Sequence, residues 1–262
     1  MARFLRVRAT SVPVEAVIND IPCGRVGAWS GTWDTRLPLD DFEEPPKMEI
    51  ALVVGVGATP AASSSSERPT GHGDWSAHVV LVDVDPATMK EDEILPHLIV
   101  VEGGEALRVF PFTVSSGRPL MSGTLQPPWG RARVLPDGWQ DAAWRYVSEL
   151  HGMLTQGRIE PFVQAHARRF AHVASTSGIP AAELRDEFEA FVRQMLQDEA
   201  WQLAPLRRAD TAFRLVARGR MVELVNRDWA PTLRFVERDG GTALRWIAAR
   251  AGVVDGQWWC LA

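Results

Sequence analysis

Between residues 211 and 249 four runs of alternating apolar and polar residues follow one another, at 211–217, 221–226, 232–237 and 243–249, with a fifth at 257–261. Alternation puts every second side chain on one face of a strand, and the turns between the runs are short enough to fold them into a meander. A two-residue loop at Gly219 and Arg220 would set Leu215 opposite Leu224 and Ala217 opposite Val222. For the next hairpin, a turn centred on Gly240 and Gly241 pairs Phe235 with Trp246 and Arg234 with Ile247. It is preferred to a turn at Asp239 and Gly240, which would oppose Arg234 and Arg245 and set like charges across the strands.

The first half also reads as β structure. Residues 4–10 alternate, 14–18 run into the turn pair Asn19 and Asp20, and 21–26 return with Pro22, which cannot donate to a ladder and so belongs at a sheet edge. In 46–57, Met48, Ile50, Leu52, Val54 and Val56 occupy every second position. Residues 58–74, with four consecutive serines, have loop composition, and strands resume at 78–84, 97–102 and 106–114. Short strands with no helix-length periodic segment among them predict an antiparallel sandwich. The hairpin from Val17 to Pro22, followed by Trp29, Trp33 and the 46–57 strand, resembles the opening of jelly-roll or galactose-binding-like sandwich modules.

Proline and glycine crowd residues 115–138, which marks a domain boundary. The expected organisation is a sandwich at 1–125, a Pro/Gly-rich linker at 126–138 and a second domain at 139–262. Beyond the boundary the apolar period lengthens to that of helices. Helices are predicted at about 140–156, at 160–173 with Pro161 in the first turn, and at 181–198. The fold class is therefore α+β: an N-terminal antiparallel β-sandwich, then three helices packed on a curved antiparallel sheet.

Helices followed by a twisted meander, with the 158–162 approach to the second helix, the 213–217 strand and the closing Asp255, Gly256, Gln257 and Trp258, are similar to the nuclear transport factor 2-like (SnoaL-like) α+β cone. The likeness spans residues 138–262. The order departs in part, because many members interleave a hairpin among the helices. The resemblance implies a concave pocket and places Tyr146, His151, His166, Asp228, Trp229 and Trp246 among its candidate binding residues.

Recognised chemistry is sparse. His166 and His172 are six residues apart, a rotation of about 600° that leaves them roughly 120° out of phase on a helix. His151 and His166 could approach across packed helices, but neither has an acidic residue at metal-ligand spacing, so no metal site is expected. Gly-x-Ser-x-Gly is absent, the phosphate-loop pattern is absent, and Cys23 and Cys260 are not ligand-spaced, so no catalytic residue and no cofactor is expected. The adjacent Trp258 and Trp259 must point to opposite faces of a strand. One of them, with Arg214, Arg234 and Arg245, forms a candidate interface, since aromatic and arginine side chains are enriched at binding hot spots.

The net charge of -5 argues against nucleic acid as a partner, and no run has the length of a membrane span. Only Lys47 and Lys90 among 28 basic residues are lysine, a bias that points to a GC-rich bacterial genome. With no secretory signal visible, a cytoplasmic location is expected. The favoured reading is a non-catalytic binding or protein–protein interaction protein, accessory or toxin-neutralising. The competing readings are a small-molecule ligand or reaction in the concave C-terminal pocket, and carbohydrate binding through Trp29 or Trp33. Oligomeric state is left open.

Overall fold

Alternation along Ala2–Thr10 (β1) buries Leu5, Val7 and Ala9 completely and turns Arg6 and Arg8 outward. The computed structural model describes residues 2–26, 31–39, 47–54, 75–85, 88, 90–102, 108–115, 127–226, 231–240, 244–247 and 250–261. The expected loop at 58–74, together with Trp29, Asp228 and Trp229, lies outside the described residues. The chain divides into two compact units, the first within 1–124 and the second principally 125–262.

In the first unit, the strands after β1 are Val14–Ile18 (β2), Ile21–Val26 (β3), Thr32–Pro38 (β4), Lys47–Val54 (β5), Ser76–Val84 (β6), Glu91–Glu102 (β7) and Arg108–Ser115 (β8). They form two four-stranded antiparallel sheets, ordered β4-β1-β6-β7 and β3-β2-β5-β8. The apolar rows Leu5, Val7, Val79 and Leu81 of one sheet and Val14, Ile18, Ile50 and Leu52 of the other are almost wholly excluded from solvent, and together they fill the sandwich. The β2–β3 hairpin turns on Asn19 and Asp20, at φ 52° and 63°, the paired left-handed conformation of a two-residue hairpin loop. The side chain of Asn19 also accepts the Glu49 amide at 2.9 Å, which ties the turn to β5. Pro22 stands on the edge strand β3.

The second unit contains five α-helices among the described residues: Pro128–Arg131 (α1), Trp139–Thr155 (α2), Ile159–Gln164 (α3), Ala167–Ser177 (α4) and Ala181–Gln197 (α5). The helix expected at 160–173 is broken at Ala165 and His166. There the His166 amide donates to the Val163 carbonyl, three residues back, while its own imidazole Nδ1 takes the Phe162 carbonyl at 3.0 Å. The side chain has displaced the backbone from its usual acceptor, and the helix starts afresh. Helix α1 lies within the stretch read as a linker, and its Pro128 and Trp129 are buried.

The meander is also corrected. Strands Trp201–Leu203 (β9), Thr211–Val216 (β10), Met221–Asn226 (β11), Arg234–Glu237 (β12), Leu244–Trp246 (β13), Arg250–Val254 (β14) and Gln257–Cys260 (β15) divide between two sheets, β10-β11-β14-β15 and β13-β12-β9. Strand β11 pairs with β14 rather than β12, and among the described residues the run expected at 243–249 yields only the short β13, with β14 starting beyond it at Arg250. Leu215 faces Val222 rather than Leu224, because the turn spans four residues with Ala217 and Arg218 as well as Gly219 at positive φ. Arg234 faces Trp246 and Phe235 faces Arg245, a register midway between those that turns at Asp239–Gly240 and Gly240–Gly241 would set. Phe213, Val222, Leu224, Ala251, Val253 and Cys260 of the larger sheet pack with Val147, Leu150, Phe162 and Val192 of the helices in one apolar core.

Candidate functional site

Of the residues implied by the cone resemblance, Tyr146 enters the core from α2, stacking on Trp258 of β15 with ring centroids 5.8 Å apart and placing its hydroxyl 3.7 Å from Cys260 Sγ. The Cys260 amide donates to the Ala165 carbonyl at 3.0 Å, so β15 is fastened to the break between α3 and α4. His166, at that break, is wholly buried among Phe162, Phe170 and Phe188, with ring centroids 5.0, 6.3 and 4.8 Å away. His151 is tied elsewhere: its Nε2 donates to the Ala204 carbonyl at 2.9 Å. Trp246 stands in β13, and Asp228 and Trp229 are outside the described residues.

The electrostatics of this cluster keep it neutral. Burial lowers the His166 pKa to about 3, helped by the nearby charge of Arg169. Burial also pushes the Cys260 thiol up to about 12 and raises the Tyr146 phenol above its ordinary range. Near neutral pH the three are therefore an uncharged imidazole, a thiol and a phenol. A general base or nucleophile needs a pKa matched to the working pH, and this cluster is tuned away from it. Among the described residues, no three His, Cys, Asp or Glu side chains gather to hold a metal ion.

The candidate arginine interface is dispersed. Arg214 lies on the larger sheet, across from Glu223, which in turn faces Arg250 on β14. Glu223 accepts from Arg214 on one carboxylate oxygen and from Arg250 Nε on the other, at 3.0 Å for the latter, so the three form a bridge across three strands. Arg245 shares the face of Phe235 and stacks over Trp201 at 5.5 Å, whereas Arg234, one position away on β12, lies on the other face. Trp258 points into the core. Trp259 points the other way, under the guanidinium of Arg168 at 4.9 Å, and Arg168 also holds Asp255 at 2.8 Å.

A different surface comes together around β10. Phe213 meets Trp139 and Trp144 of α2 edge-on, at 6.0 and 6.4 Å, and Arg208 caps the cluster over Trp144 and Phe213 while pairing with Asp141. Two residues along the same strand face, Leu215 is 46% exposed; Val134, 63% exposed, lies beside the turn after β10, where the Leu135 amide donates to the Gly219 carbonyl. Sequence reasoning placed Leu215 in an apolar pair and so missed its exposure. The only available signal was the arginine content of 207–220, which periodicity does not weigh.

In the first unit, a depression of about 390 Å³ on the outer face of β1 and β6 is lined by Arg6, Arg8, Thr10, Asp34, Ser76, His78 and Val80. Both oxygens of Asp34 accept from Arg6, at 3.0 and 2.7 Å. Trp33 is 52% exposed, but its register with Ala9 puts it on the opposite face from these polar groups. No helix among the described residues is long and apolar enough to cross a membrane. Compared with family models, curated protein sequences and solved structures, the chain matches none.

Proposed function

We propose that the protein is a non-catalytic interaction protein that recognises a protein partner through its second unit, in an accessory or neutralising role that works by covering surface. The observation that carries this reading is the cluster of Trp144 and Phe213 capped by Arg208, with the exposed Leu215 on the same strand face and the exposed Val134 beside the turn that follows. Exposed aliphatic side chains beside aromatic and arginine anchors have the composition of an interface core. The competing pocket would have to open where Tyr146, Trp258, Phe162 and Leu150 now fill the space between helices and sheet. Its titratable members are held neutral by that same burial.

The test is recovery of a partner from the organism that carries the gene, using the full chain as bait. A single protein retained near one-to-one supports the reading. Retention of no protein overturns it, and turnover or tight binding of a small molecule at Tyr146 and His166 would put the pocket in its place.

A further inference from the structure

The geometry points to the outer edge of β10 as a strand-addition site for an extended acidic segment of a partner protein. This rests on the interaction reading above and specifies its chemistry. Strand β10 ends the sheet order β10-β11-β14-β15, and no described strand pairs with its outer side. An edge strand keeps a row of backbone N–H and C=O groups directed away from its neighbour, ready to pair with another chain. The six residues of β10 offer about 20 Å of such edge. The opposite edge of the sheet, β15, is already engaged through the Cys260 amide and the Ala165 carbonyl.

The side chains around β10 decide what would dock. Phe213 and Leu215 stand on one face, Phe213 covered by Trp139, Trp144 and Arg208 and Leu215 exposed, so an added strand would set alternate residues beside Leu215. Arginines flank both ends: Arg207 and Arg208 precede the strand, and Arg218 follows it, with Arg133 next to Val134. The segments 131–141 and 207–223 together hold seven arginines against four carboxylates. A second copy of this chain would bring those arginines against their own counterparts, which opposes self-pairing. A segment alternating apolar residues with Glu or Asp satisfies both the apolar face and the surplus positive charge.

The experiment titrates the full chain with acetyl-Glu-Val-Glu-Val-Glu-Val-Glu-amide and with the peptide in which every Glu is Lys, using calorimetry and amide hydrogen exchange. The acidic peptide is expected to bind at least ten-fold more tightly than the basic one, to weaken as salt is raised, and to slow exchange within 211–216. Leu215→Glu and, independently, Arg207→Glu each weaken it at least ten-fold. Both positions are exposed, and the circular dichroism of each variant verifies that it folds. Equal binding of the two peptides, or wild-type affinity in both variants, overturns the inference. So does concentration-dependent dimerisation abolished by Leu215→Glu, which would make a second copy the occupant. Repeating the partner recovery with Leu215→Glu as bait separates the two levels: a partner still retained sinks the edge alone, whereas no partner with the wild-type chain sinks the interaction reading itself.

Discussion

Glu223 stands between two arginines on a face of the larger sheet where all but Arg214 are nearly excluded from water. Removing one member of a buried ionic group leaves the others uncompensated, which costs about 3–5 kcal/mol. Glu223→Gln should therefore lower the free energy of unfolding by that order, read as a shift in the urea midpoint. His166 makes a second prediction, with a definite sign. Its folded pKa of about 3 lies below the ordinary 6.5, so at acid pH the unfolded chain takes up a proton that the folded one refuses. The stability contributed by the neutral ring is complete above about pH 6.5 and is lost as pH falls towards 3, at up to about 1.4 kcal/mol per pH unit. His166→Gln should flatten that slope in urea titrations repeated from neutral to acid pH. The two thiols should also separate. Cys260 is fully buried and its pKa is raised, while Cys23 on β3 is only part-buried. A thiol reagent should label Cys23 in the folded protein and reach Cys260 only when the second unit opens.

At the scale of elements, Gly152 shows how a helix can carry a residue it does not need for packing. It lies inside α2, and apart from its chain neighbours and the helix's own backbone no atom stands within 4 Å of where a Cβ would be. Glycine in a helix interior costs about 1 kcal/mol relative to alanine. Gly152→Ala should raise stability by that amount in thermal or urea unfolding; a loss would mean that the open depression along α2 beside Trp144 and Met153 is filled in the working protein. Strand positions such as 221–226 and the Asn19–Asp20 hairpin were legible because apolar alternation and turn chemistry are local signals. Pairing was not. The two-residue loop at Gly219 assumed that only glycine would adopt positive φ, yet Ala217 and Arg218 do so too, which shifts the register by two residues. The break at His166 was hidden because a buried histidine on an apolar face fits a continuous helix equally well in sequence. Only the competition of its imidazole for the Phe162 carbonyl separates the two cases. Sheet membership of β12 depends on contacts with β9, far away in the chain, to which periodicity is blind.

For the molecule as a whole, the net charge of -5 conceals a division: residues 1–124 hold ten Lys or Arg against seventeen Asp or Glu, and residues 125–262 hold eighteen against sixteen. The second unit is therefore not acidic, and its arginines gather at the ends of β10. Each unit also has a core of its own, Leu5, Ile18, Ile50 and Leu52 in the first and Phe162, Leu150, Leu154 and Phe235 in the second. A large cavity in one core should then act on that unit first. Phe235→Ala removes a fully buried ring and should cost the second unit about 3–5 kcal/mol. Native-state hydrogen exchange is the direct measurement. Amides of α2 and β11 should exchange faster by the factor that this energy implies, while those of β1 and β6 keep their wild-type protection. If both sets accelerate equally, the chain unfolds as one cooperative body, and the acid response of His166 would then extend to the sandwich as well.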